Sequence, residues 1–73
     1  MYLRALDSTS LDRIGYDADT EILLVIFRDR SAYTYFGVPQ TVFDEFQIAP
    51  SKGAYFNHTI RGAFGFKVVK GEA

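Results

Sequence analysis

The sequence is most informative over residues 21–36, which read EILLVIFRDRSAYTYF. Two runs rich in β-branched and aromatic residues, 21–27 and 32–36, flank a polar tetrapeptide, and this composition predicts a β-hairpin. Side chains alternate along a strand, so the unbroken apolar run over 22–27 places apolar groups on both faces. A strand with one solvated face would carry a polar residue at every second position. We therefore expect residues 21–27 to form a central strand that is covered on both sides.

The hairpin turn, residues 28–31, contains no glycine. Tight hairpin turns need a positive φ at one or two positions. An arginine at such a position would cost roughly 1 kcal/mol relative to glycine, because its Cβ crowds the backbone. The sequence predicts either that Arg30 adopts a positive φ or that the loop is a longer form built on a type I turn.

The second arm of the hairpin carries Tyr33 and Tyr35 on one face. Two interpretations of this pair stay open. The rings can be ordinary packing at a sheet face, with the ring bodies buried and the hydroxyls in water. Alternatively, they can form a surface on which a base or another planar ligand stacks.

The chain before the hairpin contains one further predicted strand, residues 11–16, in which Gly15 allows a close approach by another group. Asp17 and Asp19 favour a turn before the hairpin, because their side chains bond the local backbone. The spacing predicts a three-stranded antiparallel meander. We expect residues 1–7 to be an irregular lead-in that frays.

The chain after the hairpin has helical periodicity. Between Pro39 and Pro50, apolar residues recur at three- and four-residue spacings, which predicts one amphipathic helix. Pro39 fits the first helical position and Pro50 stops the helix. Ser51 is a candidate N-cap for a second helix over residues 52–61, which Gly62 ends.

These elements define an α+β fold class in a single domain over residues 1–73: a three-stranded antiparallel β-meander followed by two short helices. Residues 63–70 alternate weakly, which favours a short C-terminal strand or an extended arm. We expect residues 71–73 to be a loose end. A chain of this length buries only about 60% of its unfolded surface, so the core is small.

Composition argues against several functional classes. The 8 basic side chains are balanced by 9 acidic ones, so the net charge is close to zero. This balance disfavours strong duplex binding, which needs several phosphate-neutralising cations. The lack of cysteine removes disulfides and thiolate metal sites, and the single histidine, His58, has no catalytic partner at a recognisable spacing. No apolar run approaches the ~20 residues of a membrane span, and Arg4 and Asp7 interrupt any signal-peptide core. We expect a cytoplasmic, non-enzymatic protein without membrane association, metal or cofactor.

Residues 46–71 contain no acid but hold four cations, at Lys52, Arg61, Lys67 and Lys70. Aromatic residues interleave with these cations, as they do on surfaces that bind single strands or nucleotides. The alternative is a solvated basic face that balances an acidic N-terminal half. Within this stretch, residues 51–53 (SKG) lie at the start of a predicted helix. They can form a phosphate-binding site or only an N-cap beside a surface lysine.

Seven short motifs follow one another in the chain: IGYD at 14–17, LxVxF at 23–27, YxY at 33–35, VP at 38–39, APSKG at 49–53, YFN at 55–57 and IR at 60–61. In this order and spacing, over residues 8–69, the chain resembles the KTSC domain family, named after the C-terminal domain of some lysyl-tRNA synthetases. The resemblance implies a small domain whose function is not established, although RNA binding has been suggested. It also implies that six residues belong to the family pattern: Tyr33, Tyr35, Ser51, Gly53, Asn57 and Arg61.

The chain departs from that pattern at two places. Arg30 stands where the family usually has glycine in the hairpin turn. Residues 63–66 (AFGF) stand where the family tends to have Tyr-Pro-Tyr-like residues, so rings are kept but the stiffening proline is not.

Two functions remain open. The first is a non-catalytic module that binds RNA or a nucleotide through an aromatic and basic surface. Its candidate ligand-binding residues are Tyr33, Tyr35, Ser51, Lys52, Gly53, Tyr55, Asn57 and Arg61. Because Arg61 follows Lys52 by about two and a half helical turns, both cannot hold one phosphate, which favours an extended ligand or one that bridges subunits. The second is a protein-interaction or self-assembling module, of cellular or phage origin, whose apolar sheet face is a homo-oligomer interface, most simply in a two-fold dimer.

Overall fold

The computed structural model describes residues 3–70, and its five strands form one antiparallel sheet in which the spatial order equals the chain order. The strands are β1 (Leu3–Ala5), β2 (Leu11–Asp17), β3 (Ile22–Phe27), β4 (Ala32–Tyr35) and β5 (Phe66–Lys70). Helices α1 (Gln40–Ile48) and α2 (Lys52–Tyr55) lie between β4 and β5 in the chain, and α2 continues into a turn of π-helix at Phe56–Ile60. The predicted α+β class is confirmed, with two short helices and the C-terminal strand.

The register of the strands gives the sheet two chemically different faces. Leu23 and Val25 of β3 lie beside Tyr35 and Tyr33 of β4, so these four side chains share one face. We call this the core face; it carries Leu11, Ile14, Tyr16, Leu23, Val25, Phe27, Tyr33, Tyr35, Phe66 and Val68. We call the opposite side the outer face; it carries Leu3, Ala5, Arg13, Gly15, Asp17, Ile22, Leu24, Ile26, Ala32, Thr34 and Lys67.

The hydrophobic core lies on the core face alone. Phe46 of α1 and Ile60 of the π-turn are fully buried against a cluster that includes Leu23 and Val25. On the outer face the β3 side chains Ile22, Leu24 and Ile26 are half-buried, and no element within residues 3–70 packs over them. The prediction that β3 is central is therefore correct, since it is the third of five strands. The prediction that it is covered on both sides is wrong for a single chain.

The lead-in is also more regular than its sequence indicates. Residues 3–5 form strand β1, which pairs with β2, and Arg4 donates from Nη1 to Gln47 Oε1 of α1 at 3.0 Å. Arg28 fixes the following loop by donating from Nε to the carbonyl oxygen of Ser8 at 2.8 Å. A three-residue strand has no periodicity to read, because its pairing is decided by the neighbouring strand. The predictions for Met1, Tyr2 and residues 71–73 lie outside the described residues.

Both predictions for the hairpin turn are correct together. The amide of Arg30 donates to the carbonyl oxygen of Phe27 at 3.0 Å, closing a type I turn, and Arg30 then has a φ of 74°. This is the three-residue hairpin loop in which a type I turn is followed by a left-handed residue. Asp29 stabilises the loop, since its Oδ1 accepts from the Ser31 amide at 2.9 Å and the Ser31 hydroxyl at 2.6 Å.

The helical segment follows the prediction with two changes. Pro39 is the N-cap of α1 rather than its first residue, and Ser51 caps α2, its Oγ accepting from the Ala54 amide at 3.3 Å. The second helix, predicted as one α-helix over residues 52–61, is a short α-helix that widens into a π-turn, because the Arg61 amide bonds the carbonyl oxygen of Phe56 at 2.8 Å. Within residues 3–70, neither helix has the length and apolarity that crossing a membrane would require.

Candidate ligand-binding groove

A groove of about 710 Å³ opens on the core face, between strands β3–β5 and the π-turn. We call it the aromatic groove, because five rings line it: Phe27, Tyr33, Tyr35, Phe56 and Phe66. Its remaining walls are Ser10, Leu11, Asp29, Ser31, Gly53, Asn57, Arg61, Gly62 and Val68. The helices reach only part of the core face, so the rings beside the sheet edge at β5 stay accessible.

The floor of the aromatic groove is a row of neighbouring rings. The rings of Tyr33 and Tyr35 have centroids 6.4 Å apart and planes inclined by 21°, and Phe66 lies 5.6 Å from Tyr33 and 5.7 Å from Tyr35. Tyr35 is only 4% exposed, Tyr33 is half-buried, and Phe66 is 55% exposed. Each of the two sequence interpretations of the Tyr-x-Tyr pair thus applies to one tyrosine. Tyr35 packs in the core, whereas the ring of Tyr33 is partly exposed in the groove.

The π-turn places two polar side chains at the rim. Asn57 and Arg61 both line the aromatic groove and both are exposed, while their neighbours Phe56 and Ile60 are buried. Within residues 3–70, both ion pairs use Asp12, and neither uses Arg61. The Arg61 guanidinium is therefore available to an anionic ligand, for which its planar array of donors is suited. Short π-helical turns inside helices are frequent at functional sites.

The electrostatics of the groove set the protonation of two lining residues. Burial raises the pKa of Tyr35, with Tyr33 adding to the rise and the positive charge of Arg61 opposing it, so the Tyr35 hydroxyl stays neutral. The hydrogen bonds from Ser31 lower the pKa of Asp29, which therefore carries its negative charge at neutral pH. The aromatic groove thus offers a cation from the π-turn and an anion from the hairpin turn.

A second, smaller hollow of about 210 Å³ adjoins the aromatic groove, and Ser10 and Gly53 line both. We call it the polar hollow; its other lining residues are Asp7, Ser8, Thr9, Pro50, Ser51 and Lys52. Lys52 donates from Nζ to the carbonyl oxygen of Ala49 at 2.6 Å, which directs the ammonium toward the end of α1. Ser51 and Lys52 therefore lie in a different cavity from Tyr33 and Arg61.

Tyr55 lines neither cavity. Its hydroxyl lies 3.2 Å from the carbonyl oxygen of Val42 and 3.0 Å from Glu45 Oε1, two acceptors that share its proton. The ring stacks on Phe46, with centroids 5.6 Å apart. Burial, and then the hydrogen bond to Glu45, raise the pKa of Tyr55. Tyr55 joins α2 to α1 and belongs to the scaffold rather than to the candidate site.

Of the eight predicted site residues, the structure brings five to the aromatic groove: Tyr33, Tyr35, Gly53, Asn57 and Arg61. Sequence reasoning missed Phe27, Phe66 and Asp29 as lining residues. The alternation of Phe64 and Phe66 was the available signal for the second of these, but only the pairing of β5 with β4 places Phe66 beside Tyr33. His58 is exposed, and within residues 3–70 no group of three His, Cys, Asp or Glu side chains could hold a metal ion.

The fold and the groove define a class of small α+β domain, in which two helices pack on one face of an antiparallel sheet. The sequence profile of the KTSC domain matches residues 7–64, and the chain belongs to that family. A crystal structure of a KTSC domain protein from Yersinia pestis superposes with a TM-score of 0.91 at 33% identity, covering 94% of this chain and 97% of that one.

Relatives of two sizes match the chain. A lysine–tRNA ligase of Nostoc punctiforme is 36% identical over 61 residues, which are 84% of this chain and 11% of the ligase. A lysine–tRNA ligase of Trichormus variabilis is 44% identical over 52 residues, 71% of this chain and 9% of the ligase. A protein of Stutzerimonas stutzeri is 39% identical over 57 residues, 78% of this chain and 80% of that protein. The chain thus spans about a tenth of the length of the ligases that it matches.

Proposed function

We propose that this domain is a non-catalytic module that binds a nucleotide or single-stranded RNA in the aromatic groove. One observation carries the proposal: the open rings of Tyr33 and Phe66 share a groove with the Arg61 guanidinium, which neither ion pair within residues 3–70 uses. Such a ligand would place the domain in the cytoplasm, which is the location we propose for it.

The chemistry of the groove fits one base and one phosphate. Stacking of a base on an aromatic side chain contributes about 1–3 kcal/mol, and an arginine forms paired, charge-assisted hydrogen bonds with phosphate oxygens. The net charge of −1 and the single available cation in the groove disfavour a duplex, which requires many phosphate contacts. The similarity to a segment of lysine–tRNA ligases also supports RNA as the ligand class.

The proposal is tested by isothermal titration calorimetry with purine and pyrimidine ribonucleoside 5′-monophosphates and a short single-stranded RNA, at two salt concentrations. Arg61→Ala should weaken binding about tenfold or more and flatten its salt dependence, since one phosphate contact is lost. Lys67→Ala is the matched control, because it removes an exposed cation from the outer face. Equal losses in the two variants, or no binding by the unmodified domain below about 1 mM, would contradict the proposal.

A second candidate function is self-assembly, favoured by the uncovered outer face. Its central residues Ile22, Leu24 and Ile26 are apolar and half-buried, and Leu3 at its edge is exposed. Five strands and six residues give a face of about 24 by 20 Å, or roughly 480 Å². A standard interface buries about 800 Å² per partner, so a contact through this face alone would be weak. The partner we propose is a second copy of this chain, in a weak two-fold dimer.

Charge placement is compatible with that occupant. Arg13 and Asp17 flank Gly15 on the outer face of β2. A two-fold axis near Gly15 would place the Arg13 side chain of each copy opposite the Asp17 side chain of the other, because an isologous interface pairs every contact twice.

A further inference from the structure

We propose that the ligand of this domain contains two nucleotide units joined by a phosphodiester, one in the aromatic groove and the other in the polar hollow. The inference rests on the proposed function, which requires only one unit. Its basis is the shared lining of the two cavities: Ser10 and Gly53 border both, so the cavities meet at this pair of residues. A ligand that leaves the aromatic groove past Gly53 enters the polar hollow directly.

The positions of the two cations favour a ligand longer than one nucleotide. Arg61 lines the aromatic groove and Lys52 lines the polar hollow, nine residues earlier in the same helical segment. At about 1.5 Å per residue, this spacing corresponds to roughly 13 Å along the axis. This axial spacing, with the two cations in different cavities, disfavours contact by a single phosphate group. A ligand with two anionic groups, such as a 5′-phosphorylated dinucleotide, can reach both.

Gly53 lies where the two cavities meet, and its lack of a side chain leaves space for a ligand to pass from one cavity to the other. Glycine in a helix is less favourable than alanine, and Gly53 lies in the first turn of α2. A Cβ at this position would meet Ser10 Oγ at 3.4 Å, which is an ordinary contact. The packing of the domain therefore tolerates alanine, and the absence of a side chain is better explained by what passes over Gly53 than by the fold.

The polar hollow has the groups that a sugar and a phosphate require. The hydroxyls of Thr9 and Ser10 and the ammonium of Lys52 can donate to phosphate and ribose oxygens. Asp7 lines the same hollow and has the opposite charge. Its carboxylate accepts from ribose hydroxyls and repels phosphate, which favours a ribose near Asp7 and the phosphate near Lys52.

The experiment compares a 5′-phosphorylated ribodinucleotide with the matching mononucleotide by isothermal titration calorimetry. We expect the dinucleotide to bind about tenfold more tightly or better. Lys52→Met should reduce the dinucleotide affinity to near that of the mononucleotide, while mononucleotide binding is unchanged, because Lys52 lines only the polar hollow. Gly53→Ala should reduce the ratio of dinucleotide to mononucleotide affinity, because Gly53 lies where the two cavities meet. Lys67→Ala should change neither. Thermal unfolding completes the set, since Gly53→Ala should keep or raise the melting temperature.

The outcomes separate this inference from the proposed function. Equal affinities for dinucleotide and mononucleotide would overturn the two-unit ligand and leave the proposed function intact. A dinucleotide advantage that survives in both Gly53→Ala and Lys52→Met would also overturn it, because the second unit would then lie elsewhere. The absence of binding by either ligand would overturn the proposed function itself.

Discussion

The rings of Tyr33 and Tyr35 lie nearly parallel, 6.4 Å apart, yet only the Tyr33 ring is open to solvent. Tyr35 is enclosed because Phe56 of the π-turn contacts its ring at a centroid distance of 5.5 Å, in an edge-on arrangement. The two tyrosines of one motif therefore have separate roles: Tyr35 supports the floor of the groove, and Tyr33 is available to a ligand.

These separate roles predict that the same substitution affects ligand binding at Tyr33 and stability at Tyr35. Tyr33→Leu should weaken nucleotide binding about 5- to 150-fold, corresponding to roughly 1–3 kcal/mol for a base stacked on a ring, with little loss of stability. Tyr35→Leu should lower the free energy of unfolding by about 1–3 kcal/mol, because it leaves a buried cavity. Titration calorimetry and urea unfolding of both variants check the pair. Unchanged binding by Tyr33→Leu would show that its ring is not a stacking surface.

The Tyr55 hydroxyl predicts a loss of stability at alkaline pH. Burial and Glu45 raise its pKa in the folded protein above the value of about 10 in an unfolded chain. The folded state thus holds this proton more tightly, and the free energy of unfolding falls as pH rises from about 10 through the folded pKa. Tyr55→Phe removes this titration, so it should reduce the fall.

Tyr16 and Tyr35 also have raised pKa values, so part of the alkaline fall should remain in Tyr55→Phe. At neutral pH the free energy of unfolding of Tyr55→Phe should be about 1 kcal/mol lower, because the hydrogen bond to the carbonyl oxygen of Val42 is lost. Urea unfolding at neutral and alkaline pH measures both effects. An unfolding free energy that falls equally in the variant and the unmodified domain would contradict the assignment to Tyr55.

The left-handed conformation of Arg30 predicts a stabilising substitution. Arg30 has a φ of 74° and lines neither cavity. Arg30→Gly should raise the free energy of unfolding by about 0.5–1 kcal/mol, since glycine adopts positive φ without steric cost. Arg28→Gly is the matched control and should destabilise, because Arg28 bonds the carbonyl oxygen of Ser8. A less stable Arg30→Gly variant would indicate that the arginine side chain has a contact that offsets the strain.

The outer face predicts concentration-dependent assembly. Sedimentation equilibrium at tens to hundreds of micromolar, roughly where a weak interface associates, should show dimers. Leu24→Lys should keep the protein at the 8.3 kDa monomer, because it places a charge at the centre of the face. Ile48→Lys is the control, since Ile48 is 81% exposed on α1, away from the sheet. A monomer at all concentrations would remove the self-assembly proposal.

The sequence predicts the fold where local patterns are long. The apolar run of β3 and the stripe of α1 are both correct, and Ser51 caps α2 as expected. Strand β1 was missed, because three residues show no alternation and their pairing with β2 is a tertiary effect. The expected cover over the outer face was wrong, because an apolar pattern reports which side chains avoid water and not which chain supplies the cover.

The candidate site was less predictable than the fold. Asn57 and Arg61 were predicted because both belong to the pattern of the family that the chain resembles, whereas Phe66 enters the groove only through the pairing of β5 with β4. Tyr55 was predicted to bind the ligand, but its ring packs on Phe46 of α1. The sequence does not show whether a ring on the side of α2 turns toward α1 or toward the groove. The sequence shows that Lys52 and Arg61 are far apart, but it does not show that two adjoining cavities hold them.

Binding of a nucleotide in the aromatic groove is tested most directly by an isotope-filtered nuclear Overhauser measurement on the labelled domain with an unlabelled nucleotide. We expect contacts from the base protons to the ring protons of Tyr33 and Phe66, which share the floor of the aromatic groove. We expect no contacts to the methyl groups of Leu24 and Ile26 on the outer face. Contacts to those methyl groups from a bound nucleotide, with none to Tyr33 or Phe66, would show that the aromatic groove is not the binding site.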